Sequence, residues 1–290
     1  MNYFTETHRE KRDSQRKELR ESPHKLRESL CNRKQMLHSI KSYLQFLWNS
    51  KNEHGVHSPF VFDLVTKCFY DSKKYPEYVI LKNYRKSLLE NKNSIEVTDF
   101  GAGSRVFKSN QRQISKIAKT AGITSKRAEL LFRITNYFQP ENILEIGTSL
   151  GLATSTLSLG NKNAKITTLE GCSNTMSVAK NQLQNLKNIE FVTTEFSSYL
   201  KQPTTDNPQL IYFDGNHSKQ ATLDYFELLL PTISNETVWI FDDIHWSADM
   251  EEAWEIIKKH PKVTVTIDTF QWGFVFFRAE QEKEHFVIRI

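Results

Sequence analysis

The sequence is poor in cysteine, contains no apolar run of membrane-spanning length and shows no internal repeat. Its three cysteines, Cys31, Cys68 and Cys172, lie far apart and form no CxxC pair. That spacing argues against a disulfide framework or a cysteine-rich zinc site, and makes a reducing, cytoplasmic compartment the expectation. No stretch approaches the ~18–20 apolar residues that a bilayer span needs. The mean hydropathy of −0.54 agrees, so no membrane association is expected. The opening residues, MNYFTETHREKRD, lack the apolar core of a secretory signal, and none is expected.

What is present is a chain of 290 residues, 38% hydrophobic and 25% charged, enough to bury a sizeable core and too apolar for wholesale disorder. The net charge of +5 is unevenly distributed. Residues 1–35 hold ten Lys and Arg against six Asp and Glu, which leaves a net of +1 for everything after them. The basic character therefore belongs to a charged tail over 1–35, expected to be a flexible or partly helical extension, and the body is nearly neutral. A tail of this kind can touch nucleic acid or acidic lipid, but its mixed signs favour a solvated extension.

Residues 36–125 read as a helical extension or lid. Leu37, Ile40, Tyr43, Leu44 and Leu47 recur at helical spacing. Ser58-Pro59 fits an N-cap followed by proline at the first helical position, opening a helix that runs to Tyr70, and 77–92 reads as another. From 126 onward the pattern changes. A helix ending before Pro140 precedes short apolar strands at 142–147, 164–170, 188–193, 209–214 and 237–243, with helices between them and after the last. This alternation predicts a parallel sheet covered on both faces. Two further strands, 263–270 and 272–279, follow with almost no connection between them, so they must form an antiparallel hairpin. The expected fold class is α/β: a seven-stranded, mostly parallel sheet over 126–290 with an antiparallel C-terminal hairpin and a helical N-terminal extension.

In such sheets ligands bind beyond the carboxyl ends of the strands, where the strand order reverses. The first strand ends in Glu145-Ile146-Gly147-Thr148-Ser149-Leu150-Gly151. A glycine turn there lets backbone amides and a helix N-terminus approach a ligand. Its GxxxG spacing lacks the middle glycine of a dinucleotide cradle. The second strand ends in Glu170, placed to accept both hydroxyls of a ribose. A tight turn beside a solvated glutamate is the structural alternative.

EIGTSLGLATSTL, TLEG and the closing hairpin resemble class I S-adenosylmethionine-dependent methyltransferases, with a Rossmann-like sheet, over roughly residues 120–290. The resemblance implies that Gly147, Thr148, Ser149 and Gly151 hold the methionine part of the cofactor, that Glu170 holds the ribose, and that Glu195 and Phe196 border the adenine. Glu145 and Asp214 suit a sulfonium cation better than a phosphate would be served by them. A second glycine turn, Asp99-Phe100-Gly101-Ala102-Gly103-Ser104, has no partner acid in register and reads as a connector or a loop covering the site.

Asp214 ends the fourth strand, and Asp242 and Asp243 end the fifth. Three converging carboxylates repel unless neutralised, and a divalent cation such as Mg²⁺ would neutralise them and activate an acceptor oxygen. The alternative has them hydrogen-bonded to backbone or cofactor with no ion. The arrangement is similar to the cation-dependent catechol-type O-methyltransferases, with two departures: Asp242-Asp243 stands where that group has Asp-Asn, and His217 where it has a lysine base. His217 is the candidate general base, with Asp214 beside it. His54-Gly55-Val56-His57-Ser58-Pro59-Phe60 resembles a segment preceding this domain in some bacterial methyltransferases of unassigned substrate, although helix-boundary chemistry alone accounts for Gly55, Ser58 and Pro59. Trp246, Phe270 and Trp272 are candidates for lining the pocket or packing the core.

The resulting expectation is O-methylation of a small-molecule hydroxyl, with no nucleic acid as partner and homodimerisation left open. Its rivals are an RNA methyltransferase using the tail as a basic arm, and a non-catalytic nucleoside-binding protein on the same scaffold. An NAD oxidoreductase is disfavoured by the GxxxG turn and the hairpin.

Overall fold

A computed structural model describes residues 37–98, 109–202 and 207–290. The charged tail and the turn at 99–104 fall outside the described residues.

The first described element is helix α1 over 37–49. Helix α2 (Pro59–Leu64) starts where expected: Pro59 is its first residue, and the Ser58 hydroxyl accepts the Val61 amide at 3.4 Å. The helix expected to continue to Tyr70 instead widens into a π turn over Val65–Phe69. Helix α3 (Glu77–Glu90) follows, then a small antiparallel pair, β1 (Ser94–Glu96) and β2 (Gln111–Gln113), and helix α4 (Ile114–Thr120). Helix α5 (Ser125–Phe138) is capped by Thr124 and ends in a left-handed Gln139 just before Pro140.

The alternating part is β3 (Asn142–Ile146), α6 (Leu152–Gly160), β4 (Lys165–Glu170), α7 (Ser173–Gln182), β5 (Ile189–Thr193), α8 (Phe196–Leu200), β6 (Leu210–Phe213), α9 (Lys219–Leu229), β7 (Val238–Asp242) and α10 (Ala248–Lys259). Strands β8 (Val265–Asp268), β9 (Trp272–Phe276) and β10 (Glu284–Val287) close the sheet. Its order is β10-β8-β9-β7-β6-β3-β4-β5, and only β9 runs against its neighbours. The expected hairpin is therefore β8–β9. The sheet has eight strands rather than seven, because β10 adds a parallel edge beside β8. Its sequence, EHFV, buries only Phe286 and carries no apolar run to announce it.

Alternate residues along the central strands feed two separate apolar layers, as the period-two geometry of a strand requires. Leu210, Tyr212, Val238 and Ile240 join the layer under α3, α5 and α6. Ile211, Phe213, Trp239 and Phe241 join the layer under α9 and α10. Burial on both faces is why β6 (LIYF) and β7 (VWIFD) are unbroken apolar runs up to the terminal acid. The order reverses between β3 and β6, which sets the carboxyl ends of β3, β4, β6 and β7 around one opening.

Candidate active site

The turn after β3 is held from below. The amides of Gly147 and Thr148 both donate to the Leu169 carbonyl at 3.0 Å, tying the turn to the end of β4. Gly147 has φ +105°, and a Cβ there would lie 2.3 Å from the Asp214 carbonyl oxygen, so the ends of β3 and β6 meet at a point where only glycine fits. Ser149 and the two residues that leave β6 and β7, Asn216 and Asp243, have φ of 48°, 53° and 53°. Three left-handed non-glycine residues at one sheet edge are the kind of backbone strain that gathers at functional sites.

Across this turn the Ser149 amide donates to Glu170 Oε2 at 2.8 Å, and the Cys172 amide donates to Oε1 at 2.9 Å. The paired features expected from the sequence, the glycine turn and the strand-end acid, are thus in direct contact. They border a cleft of about 550 Å³ that Gly147, Ser149, Glu170, Glu195, Phe196, Asp214 and His217 all help to line. The Glu195 carboxylate caps α8 by accepting the Ser198 amide at 3.1 Å. Trp246 also reaches the cleft.

Three expected cofactor residues act from outside the lining. Gly151 opens α6, and a Cβ there would meet Leu183 at 2.8 Å, so its part is close packing against the end of α7. Thr148 and Thr168 share a hydroxyl contact at 2.5 Å. Glu145 is fully buried beneath the turn and accepts the Thr154 and Thr168 hydroxyls at 2.5 and 2.6 Å through Oε2. Its other oxygen has no partner. Burial pushes the Glu145 carboxyl up to about 8 against the opposing effect of the threonines, so it holds its proton at neutrality.

His217 Nε2 lies 3.6 Å from Asp214 Oδ1 at the cleft wall. Burial works against charge on His217, but the contact with Asp214 and the charges of Asp214, Asp243 and Asp242 outweigh it and raise the imidazole to about 9. Burial and Asp242 push Asp214 upward, while His217 pulls it down. The two directions are reconciled when the pair carries one proton through neutrality and keeps it on His217.

The residues of the expected metal centre do not fit a divalent ion. Asp242 is 3% exposed. Its Oδ1 accepts the Arg127 guanidinium and, at 2.7 Å, the Asp243 amide, and its Oδ2 accepts the Tyr212 hydroxyl at 2.9 Å. Neither Asp242 nor Asp243 lines the cleft. Burial opposes the charge on Arg127, yet Asp242 holds its pKa above the usual guanidinium range. An octahedral oxygen shell would require this guanidinium to leave. Among the described residues no group of three or more His, Cys, Asp or Glu is arranged to hold a metal.

The remaining candidates lie outside the cleft lining. His245 bridges Glu251 (Nδ1, 2.7 Å) and Asp268 (Nε2, 2.8 Å) and stacks on Phe270, which ties the loop after β7 to β8. Trp272 is buried against Tyr212, with the Arg127 guanidinium 5.0 Å over its ring. His54 and His57 are exposed and lie outside the cleft lining.

Comparison with known proteins agrees with this geometry. Residues 144–244, which span β3 to the end of β7, match a family model described as a methyltransferase domain. Over those residues the chain is similar to methyltransferase domains. No curated protein sequence matches it. Among solved structures, the chain is similar to the SAH-bound methyltransferase PaMTH1 of Podospora anserina, at 12% identity and a TM-score of 0.55 over 77% of this chain and 97% of that one. It is also similar to cofactor-bound Rv0187 from MTB, at 14% identity and TM-score 0.51 over 76% and 95%. A candidate O-methyltransferase from Klebsiella pneumoniae gives 17% identity and TM-score 0.50 over 72% and 92%. At these identities the likeness is one of fold.

Sequence reading missed Arg127, Thr154 and Thr168. The threonines sit on apolar faces where they read as packing. Arg127 is an ordinary polar residue at the start of α5, and its partner lies 115 residues away.

Proposed function

We propose that this domain transfers a methyl group from S-adenosylmethionine to a hydroxyl oxygen of a small-molecule acceptor, with His217 as the base. The observation that carries the reading is the contact between Ser149 and Glu170, which sets the turn after β3 and the strand-end carboxylate of β4 side by side at the cleft, an arrangement that supports binding of a ribose. The charge of the cleft agrees. Glu170, Glu195, Asp214 and Asp224 line it, and Arg112 is its only Lys or Arg among the described residues. Such a wall attracts a sulfonium and repels free phosphates.

Gly147 and Ser149 would receive the methionine part, Glu170 the ribose hydroxyls, and Phe196 a face of the adenine, with Glu145 supporting the turn from below. When bound, the cofactor supplies an activated methyl group. The chain's own work is to align the acceptor oxygen, exclude water and accept its proton. His217 does the last once it is neutral, and Asp214 orients the ring and stabilises the imidazolium that results. The Arg127–Asp242 pair stands against a cation-assisted variant of this chemistry.

Calorimetry with S-adenosylhomocysteine tests the reading. Micromolar binding that is lost in Glu170→Ala supports it. An absence of binding by the wild-type chain refutes it.

A further inference from the structure

Three carboxylates, Asp214, Asp242 and Asp243, stand at the ends of β6 and β7, and burial together with the charge of Asp242 raises both Asp214 and Asp243. Such a cluster needs a counter-charge. The structure contains one. Arg127 reaches across from α5 to Asp242 Oδ1, its side chain 18% exposed, and its guanidinium lies over the Trp272 ring. The other oxygen of Asp242 is taken by the buried hydroxyl of Tyr212. Arg127 does not line the cleft, whereas Asp214 and His217 do. The cation therefore sits behind the reactive pair.

We propose that Arg127 is the built-in counter-charge of the acidic centre, a positioning residue that occupies the coordination space of Asp242, excludes divalent cations and leaves Asp214–His217 as the reactive pair at the cleft wall. The inference rests on the methyltransferase reading for its functional meaning, but not for its test. Asp242 serves as a fixed anion: it holds Arg127, Tyr212 and the Asp243 amide in place. A guanidinium suits this role because it is permanently charged, forms directional bonds to a carboxylate and stacks on an indole face. A divalent ion placed beside it would face an immovable positive charge.

The test uses Mn²⁺ alone, titrated into the full chain with S-adenosylhomocysteine present and followed by paramagnetic resonance. Tb³⁺ luminescence sensitised through Trp272 is the second reading. The wild-type protein is expected to bind neither ion at millimolar concentration, and Arg127→Lys, which keeps the charge, is expected to behave the same way. Arg127→Ala uncovers the carboxylates and should bind Mn²⁺ about tenfold or more tighter than wild type. Stoichiometric Mn²⁺ binding by the wild type that Asp242→Asn abolishes would overturn the proposal. So would an Arg127→Ala protein, folded by circular dichroism, whose Mn²⁺ affinity equals that of the wild type. If that variant does not fold, the wild-type and Arg127→Lys titrations still decide. With any acceptor that is turned over, Arg127→Lys should rescue kcat relative to Arg127→Ala, with the cofactor KM unchanged. Loss of S-adenosylhomocysteine binding by the wild type would strike the methyltransferase reading instead, since the Mn²⁺ result does not depend on it.

Discussion

The Ser149 amide donates a 2.8 Å hydrogen bond to the Glu170 carboxylate, joining the turn after β3 to the tip of β4. Glu170 therefore has two tasks. It fixes the conformation of the turn, and it borders the cleft.

Replacing Glu170 should separate those tasks. Glu170→Ala removes both, and a charged hydrogen-bond acceptor of this kind contributes about 1.5–3 kcal/mol. S-adenosylhomocysteine affinity should fall about 10- to 100-fold by calorimetry. Glu170→Gln keeps one acceptor oxygen and should lose less. Equal affinities for all three proteins would remove Glu170 from the cofactor site.

Gly147→Ala forces a Cβ to within 2.3 Å of the Asp214 carbonyl at a φ of +105°. The backbone must shift where β3 meets β6. A loss of about 2–4 kcal/mol in denaturant unfolding is expected, together with weakened cofactor binding. An unchanged unfolding midpoint would mean that the turn is softer than its contacts indicate.

Glu145 gives stability a pH dependence of defined sign. Its carboxyl is raised from 4.5 to about 8 by burial, so between those values the folded state binds a proton that the unfolded state has released. Stability must fall as pH rises through that window. Glu145→Gln should flatten the fall by up to about 1.4 kcal/mol per pH unit. His217, raised from 6.5 to about 9, holds a proton in the folded state above pH 6.5 and supplies the slope that remains there. Parallel curves for wild type and variant would show that Glu145 is ionised in the folded state.

His217 should titrate near 9 rather than 6.5 when followed by NMR of its imidazole protons, and Asp214→Asn should bring it down. The neutral base form grows as pH rises, so kcat/KM for a hydroxyl acceptor should climb toward alkaline pH. His217→Gln should lose that limb. A midpoint near 6.5 in the wild type would dissolve the Asp214–His217 pair as described.

The parts of this molecule that could be read beforehand are those written into local patterns. LIYF and VWIF announce strands buried on both faces, and Asp214 and Asp242 follow them as acids at the sheet edge. Glu170 was legible as a strand-end acid, and the structure sets it against the glycine turn. The Arg127–Asp242 pair was not, because α5 and β7 come together only through packing and neither residue type is unusual where it stands. Glu145 was read as facing a ligand, yet it lies beneath the turn among threonines. Strand alternation restricts a residue to one of two faces but does not say which face is covered. β10 escaped because an edge strand with one buried side chain has almost no apolar signature.

The left-handed residues at the carboxyl edge of the sheet have an evolutionary corollary. Ser149, Asn216 and Asp243 each occupy a backbone region that β-branched side chains enter only at high cost. At these three positions the handedness of the chain filters substitutions before their chemistry is tested. Substitutions at cleft-lining residues such as Trp246 and Gln220, whose φ values are not positive, meet no such filter.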